Sequence, residues 1–303
     1  IDLSSNSKLT LIDIADNADL TSLNIRNGNN ANLATVRILN NGNLNCITAD
    51  SANLDTSNWS KDANLNLQTN CNTSSDVTTI ADASFEQSLI DLGWDTNGLN
   101  GNILIAEAQA IDSLKIGNPI TNDLIPNVTS KIKSIAGVEA MTNLEYLDVR
   151  DNEIATVDLS ANSNLENISI GQNLLTTIDV SANTKLTSLF VNDNQLTSID
   201  ISNNTLLERF GIMRNQFTAV DVTPLVNLKD LFVHGNQLTA IDVSLNLNLI
   251  TLYAFDNLLT GLDVTNNLAL EFLRIDNNHE LNPNNQITSI DVSNTISLKP
   301  FRF

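Results

Sequence analysis

Residues 186–206 read LTSLFVNDNQLTSIDISNNTL, and residues 207–227 repeat the same pattern as LERFGIMRNQFTAVDVTPLVN. In segments such as Leu189-Phe190-Val191, one side chain points inward and the next points outward, which predicts a short β-strand. The leading leucine of the repeat recurs with a step of 21 residues at Leu144, Leu165, Leu186, Leu207, Leu228, Leu249 and Leu270. One such strand cannot bury its apolar face alone, so the sequence predicts a solenoid whose turns stack about 4.8 Å apart.

An asparagine recurs in this repeat at the point where the chain leaves the strand. We expect its inward amide to hydrogen-bond backbone groups of its own turn and of the adjoining turn, forming a ladder. The position is occupied by Asn152, Asn173, Asn194, Asn215, Asn236, Asn257 and Asn278. This structural role explains the asparagines without any catalytic function.

An aspartate also recurs, and the inward apolar residues on both sides of it predict that it points outward. It occurs as Asp158, Asp179, Asp200, Asp221, Asp242, Asp263 and Asp291. Like charges one strand spacing apart repel each other, so something must offset them. Hydrogen bonds from the nearby Ser or Thr and from turn amides are one explanation, and bound calcium is the other. The absence of a Gly-rich calcium repeat favours the hydrogen bonds and predicts no cofactor.

The 21-residue unit with its L-T-x-I-D-V-S-x-N ending resembles the repeats of bacterial leucine-rich-repeat surface proteins. These include internalin-type adhesins and surface proteins exported by gliding and marine bacteria. The resemblance is close over residues 132–298 and looser elsewhere. It implies an α/β leucine-rich-repeat solenoid with parallel β-strands on the concave face and short turns on the convex side. It also implies an extracellular or cell-surface location, and it does not identify a ligand.

The remaining sequence predicts three parts. Residues 1–76 are the end of a first array with a cysteine-containing cap, like the endings that close arrays in the proteins the chain resembles. Residues 77–131 hold a helical cap, a degenerate first turn and an inserted loop, and residues 132–303 form the regular array. A second insertion, at residues 278–285, interrupts the last repeat.

The capping helix is predicted over residues 82–92. Asp82 is a typical helix-capping residue, Phe85 and Leu89 fall on one face, and Gly93 ends the segment. An amphipathic helix of this kind would cover the open end of the array.

Cys46 and Cys71 are the only cysteines. Two thiols cannot form a closed zinc site, and in a secreted protein they would form a disulfide. Two free thiols are the alternative. Residue 1 falls inside a repeat and no signal peptide is visible, so we expect a mature or excised fragment.

The formal net charge of −20 argues against nucleic acid and anionic lipid as partners, since both are bound by clustered Lys and Arg. No apolar run approaches the ~20 residues of a membrane span, so no membrane insertion is expected.

Apolar and aromatic residues gather at outward positions of the middle repeats, although aromatic residues make up only 4% of the chain. Such grouping is typical of protein or carbohydrate recognition, although strands also favour aromatic residues for covering backbone. The candidate site, which we call the concave patch, comprises Phe190, Met213, Arg214, Phe232, His234, Tyr253, Phe255 and Arg274.

The sequence predicts no enzyme. Only His234 and His279 are available as histidine bases, and no nucleophile triad, phosphate loop or metal-ligand cluster is visible. We therefore expect an extracellular recognition or adhesion module that binds a protein partner. A glycan-binding module and a structural spacer in a larger surface protein are the alternatives.

Overall fold

The computed structural model describes residues 1–44, 46–51, 54–62, 65–69, 71, 77–276, 284–295 and 297–299. The chain divides into two compact units, Ile1–Asp76 and Val77–Phe303. Most of the insertion predicted at residues 278–285 and the ladder position predicted for Asn278 lie outside the described residues.

The first unit is a solenoid with two parallel sheets. One sheet contains β1 (Leu11–Asp13), β3 (Thr35–Ile38) and β5 (Trp59–Lys61), and the other contains β2 (Leu23–Asn24), β4 (Cys46–Thr48) and β6 (Asn66–Gln68). The second sheet is an addition to the predicted architecture, in which strands occupy one side of each turn. Apolar side chains from both sheets form one core, which includes Ile12, Leu23, Val36, Ile38 and Ile47.

Cys46 and Cys71 form a disulfide within this unit, with Cα atoms 5.6 Å apart. The predicted bridge is thus confirmed over the alternative of two free thiols. The amide of Cys71 also donates a hydrogen bond to the Thr48 hydroxyl, at 3.1 Å. Together these contacts attach Cys71 to β4.

The second unit begins with a cap built from two helices and two strands. Strand β7 (Val77–Thr79) pairs antiparallel with β8 (Asn102–Leu104), and helices α1 (Ala83–Asp91) and α2 (Ile105–Ala110) complete the cap. Helix α1 confirms the predicted capping helix. Its Asp82 cap accepts hydrogen bonds from the amides of Ser84 and Phe85, and the Phe85 and Leu89 side chains are fully buried.

Eight parallel strands follow in chain order and form a single sheet. The first is β9 (Ser113–Lys115), and the others are β10 (Tyr146–Asp148), β11 (Asn167–Ser169), β12 (Ser188–Phe190), β13 (Arg209–Gly211), β14 (Asp230–Phe232), β15 (Thr251–Tyr253) and β16 (Phe272–Arg274). The middle residue of each strand is buried in the core and the residues on either side point outward. This confirms the predicted solenoid with one parallel sheet along the regular repeats. Short 3-10 helices occur at Asn30–Asn32, Pro119–Thr121 and Val138–Ala140.

The asparagine ladder is also confirmed, and Asn194 shows its bonding. The Asn194 side-chain oxygen accepts from the Leu175 amide at 2.9 Å, and its Nδ2 donates to the carbonyls of Ile170 and Val191 at 3.1 Å each. Because Leu175 and Ile170 belong to the preceding turn, each rung joins two turns. At the last rung among the described residues, Asn285 makes the equivalent bonds to Leu259, Ala254 and Ile275.

A second ladder is formed by buried asparagines that precede the strands. Asn183 is representative, since its Nδ2 donates to the carbonyls of Leu159 and Asn162 in the preceding turn. The same bonding is made by Asn162, Asn183, Asn204, Asn246 and Asn267. Leu225 stands where the repeat has asparagine and interrupts this ladder once.

The repeated aspartates make the predicted hydrogen bonds. Each accepts from the amide two residues later, as Asp179 does from Ser181 at 2.8 Å. Hydrogen bonds from the Ser181 hydroxyl and amide hold the pKa of Asp179 below its usual value, although the charges of Asp158 and Asp200 act to raise it. Asx turns therefore offset the repulsion between successive carboxylates.

Candidate functional site

The register of the sheet aligns the concave patch across adjacent strands. Phe190 pairs with Gly211, Gly211 with Phe232, Phe232 with Tyr253, and Tyr253 with Arg274. These residues all occupy the last position of their strands, so their side chains leave the same face of the sheet. His234 and Phe255 lie two residues further along the chain, beyond the ends of β14 and β15.

The aromatic rings of the patch form one connected series. The Phe190 and Phe232 ring centroids are 6.0 Å apart, and the Phe232 and Tyr253 rings meet edge to face at 5.4 Å. Tyr253 lies 6.3 Å from Phe255, whose ring stacks on His234 at 4.1 Å. All five side chains are half-buried, because they cover one another while keeping one surface open. Aromatic pairs at these separations stabilise each other beyond the burial of their area.

Gly211 allows the contact between Phe190 and Phe232. These two rings are separated by an intervening strand, and a methyl group added at Gly211 would lie 2.5 Å from Cδ1 of Phe190 and 3.1 Å from the Met213 sulfur. The missing side chain therefore leaves the space into which Phe190 leans.

We expect Gly211→Ala to lower the free energy of unfolding by about 1–2 kcal/mol, because the Phe190 ring must move to admit the methyl group. Gly261→Ala is the matched control, since no atom outside its immediate neighbours lies within 4 Å of the added methyl group. Urea unfolding of both variants measures the difference. Equal effects at the two glycines would contradict the proposed role of Gly211.

His234 is half-buried in the patch, where it stacks on Phe255. Its Nδ1 is buried and has no hydrogen-bond partner among the described residues. Burial lowers the pKa of His234 to about 4, and the positive charges of Arg214 and Arg274 contribute in the same direction. Asp193 opposes this shift but does not reverse it. The imidazole is therefore neutral at pH 7.

This lowered pKa predicts a specific loss of stability in mild acid. The unfolded chain, with a histidine pKa of 6.5, takes up its proton before the folded chain does, so stability falls as the pH drops from 6.5 towards 4. After allowing for the partial exposure of the ring, we expect a loss of roughly 1–2 kcal/mol. Urea unfolding of the wild type and His234→Gln at pH 7 and pH 4.5 measures it. A wild-type loss no larger than that of the variant would refute the prediction.

Arginines flank the rings. The Arg274 guanidinium lies 4.0 Å from the Phe255 ring centroid and forms an ion pair with Asp276 at 3.0 Å. Arg214 forms an ion pair with Asp193. The sequence analysis missed Arg209, whose guanidinium lies 5.2 Å from the Phe190 ring centroid. The repeat places Arg209 on the outward face of β13, the strand next to that of Phe190, and this position could have identified it as part of the site.

A shallow pocket of about 450 Å³ continues the patch beyond Phe190, and the sequence analysis missed it. Its wall includes the polar side chains of Tyr146, Asn167, Gln172 and Arg209 next to Phe190 and Met213. An amide, hydroxyl or guanidinium at these positions can hydrogen-bond a polar ligand.

In the part of the chain that the structure describes, no helix is long and apolar enough to cross a bilayer. Within the same residues, no three His, Cys, Asp or Glu side chains are grouped to hold a metal ion.

No protein-family model matches the chain, and the comparison with curated proteins found no match. Solved structures do match. The functional domain of InlJ from Listeria monocytogenes is 29% identical, with a TM-score of 0.57, and the match covers 74% of this chain and 51% of that domain. The chain thus spans about half of the InlJ domain.

Two further structures share the fold at lower identity. Internalin C2 from Listeria monocytogenes is 19% identical with a TM-score of 0.59, over 77% of this chain and 99% of internalin C2. A leucine-rich-repeat protein from Leptospira interrogans is 21% identical with a TM-score of 0.52, over 65% of this chain and 61% of that protein.

The InlJ domain includes a cysteine ladder. This chain has two cysteines in all, and asparagines join its turns instead. The stacked turns with a 21-residue repeat, the parallel sheet and the matching structures agree: the chain is an internalin-like leucine-rich-repeat solenoid.

Proposed function

We propose that the chain is a non-enzymatic recognition or adhesion module that binds a protein through the concave patch. The observation that carries the proposal is the connected series of half-exposed aromatic rings on one face of the sheet, flanked by Arg209 and Arg274. Aromatic and arginine side chains dominate the energetics of protein interfaces.

The surroundings of the patch favour binding for a second reason. Its side chains are attached to short strands of a regular sheet and already contact one another, so a partner would have to order few of them. A site that is ordered before binding loses less conformational entropy on association.

An extracellular location is part of this proposal. The disulfide between Cys46 and Cys71 is typical of oxidising compartments, and the fold is shared with internalins. The acidic net charge of −20 would favour the approach of partners with a basic surface.

The test compares capture of surface proteins by the wild-type chain and by the double variant Phe232→Ala/Tyr253→Ala. The matched control is Leu245→Ala/Leu247→Ala, which removes side chains that are 55% and 59% exposed outside the patch. We expect the wild type and the control to enrich the same protein. The patch variant should bind that protein at least ~30-fold more weakly, which corresponds to a loss of about 2 kcal/mol of binding free energy.

Far-UV circular dichroism must show that all three proteins are folded. Equal affinity of the patch variant and the control would reject the concave patch and would favour a structural spacer.

A glycan-binding function is the second candidate, and the polar pocket beside Phe190 favours it. The ring of Tyr146 can pack against a sugar, and the side-chain amides of Asn167 and Gln172 can hydrogen-bond its hydroxyl groups. Binding of the isolated chain to a glycan array, lost in Tyr146→Ala and retained in Phe232→Ala, would support this function over the first.

A further inference from the structure

The cap of the second unit contains buried acidic groups that the concave patch does not involve. They lie at the two ends of residues 95–107, which follow α1, extend into the first turn of α2 and read DTNGLNGNILIAE. Asp95 is only 3% exposed, and its Oδ2 is buried without a hydrogen-bond partner among the described residues. Oε2 of Glu107 is likewise buried and has no partner there. Two carboxylate oxygens thus lack the partners that buried charges require.

The loop around these carboxylates contains no balancing cation. Neither Asp95 nor Glu107 forms an ion pair in the described part of the chain.

Other contacts hold the loop in a defined shape. Oε1 of Glu86 accepts hydrogen bonds from three consecutive amides, those of Asn100, Gly101 and Asn102, at 2.8, 2.6 and 3.1 Å. The remaining oxygen of Asp95 accepts from the Asn97 amide at 3.0 Å. This bonding leaves Oδ2 of Asp95 as the free oxygen of a fixed side chain.

Asn97 and Asn100 contribute two amide oxygens to the same loop, and each of these oxygens accepts one hydrogen bond within the loop. Oδ1 of Asn97 accepts from Nδ2 of Asn100 at 2.6 Å, which places the two side chains together. Oε1 of Glu107 accepts from the Thr96 hydroxyl, so the end of the segment reaches back to its start. The oxygens of Asp95, Asn97, Asn100 and Glu107 are the kind that a hard cation prefers.

The order of these residues follows that of a helix–loop–helix calcium site. Such loops have the form D-x-[DN]-x-[DN]-G-x5-E, in which the glycine allows a sharp turn and the final glutamate binds through both oxygens. With one additional residue at Leu99, Asp95, Asn97, Asn100, Gly101 and Glu107 fit this form. Gly101 has φ +83°, and Glu107 lies in the first turn of α2.

We propose that residues 95–107 bind one Ca²⁺ ion through the side chains of Asp95, Asn97, Asn100 and Glu107. The ion would neutralise the two buried carboxylates and fix the cap on the first turns of the array. This site differs from the repeated aspartates, which are exposed and already accept hydrogen bonds from Ser or Thr amides. It is also independent of the function proposed for the concave patch.

Trp94 allows the site to be tested directly, because it precedes Asp95 and the other tryptophan, Trp59, belongs to the first unit. The full chain is stripped of metal with a chelator and titrated with Tb³⁺ under tryptophan excitation. We expect sensitised Tb³⁺ luminescence that Ca²⁺ displaces. Calorimetry with Ca²⁺ should give one ion per chain, and the melting midpoint should rise with Ca²⁺.

The variants separate this site from other acidic groups. Glu107→Gln and Asp95→Asn keep the size of the side chains, and each should weaken Ca²⁺ binding at least ~30-fold. Asp179→Asn, which removes one exposed repeated aspartate, is the matched control and should bind as the wild type does. Trp94→Phe should lose the luminescence and keep the calorimetric signal.

Two results would overturn the proposal. One is no calorimetric binding of Ca²⁺ by the folded wild-type chain at millimolar concentration. The other is equal binding by Glu107→Gln and the wild type while Asp179→Asn binds less, which would place the ion on the repeated aspartates. Circular dichroism of each metal-free variant shows that it is folded.

Discussion

Replacing Asn194 with alanine is expected to lower the free energy of unfolding by about 3–4 kcal/mol. The Leu175 amide loses its partner and remains buried, which costs about 1–3 kcal/mol. The carbonyls of Ile170 and Val191 each lose one of two bonds, since Asn173 and Asn215 still donate to them. A small cavity adds to the loss.

The measurement is urea unfolding followed by the fluorescence of Trp94 in a Trp59→Phe background, so that the signal comes from the second unit. Asn203→Ala is the matched control, because Asn203 is exposed and makes one bond of 3.3 Å to the Ser181 carbonyl. Its loss should be under about 1 kcal/mol. A loss at Asn194 as small as that at Asn203 would show that the ladder does not stabilise the stacked turns.

Removing the disulfide with Cys46→Ser/Cys71→Ser is expected to destabilise the first unit by about 3.5 kcal/mol. The bridge closes a loop with a sequence separation of 25, and the loss follows from the chain entropy that the open loop gains on unfolding. Fluorescence of Trp59 in a Trp94→Phe background reports this transition, because Trp59 lies in β5.

Reductant provides the control for this prediction. The wild type in reductant should match the double variant, and the variant itself should not respond to reductant. If reductant leaves the Trp59 transition of the wild type unchanged, the bridge does not contribute to stability.

The regular repeats could be predicted because each position has one physical role that recurs. Leu189 and Leu231 are buried at the middle of their strands, and Asn194 and Asn236 bond two turns wherever the chain leaves a strand. The capping helix was predicted for a similar reason, since the capping residue Asp82 and the apolar Phe85 are local signals for the start of a helix.

The irregular elements could not be predicted. Strand β2 has two residues, which is too short to show an alternating pattern. Helix α2 has six residues and no side-chain cap. Asn285 forms the last described rung only because seven residues are inserted before it, and the sequence alone favours Asn278.

The concave patch was predictable as a set of outward positions but not as an arrangement. The register follows from the repeat and places Phe232 beside Tyr253. Side-chain rotamers decide whether the rings touch, and the Phe190–Phe232 contact depends on the empty space at Gly211. The contact of Arg209 with the Phe190 ring likewise depends on the rotamer of the arginine side chain.

The direction of the asparagine ladder has a consequence for synthesis of the chain. Asn194 bonds to residues 19 and 24 positions earlier, and the other rungs of the ladder also reach back to the preceding turn. The hydrogen bonds of each turn are therefore completed by the next turn to be synthesised, and the described rungs connect neighbouring turns. Such short-range closure favours rapid folding from the amino-terminal cap onward. During synthesis the array can thus fold one turn at a time. Only the turn made last then lacks the hydrogen bonds that the next asparagine will supply.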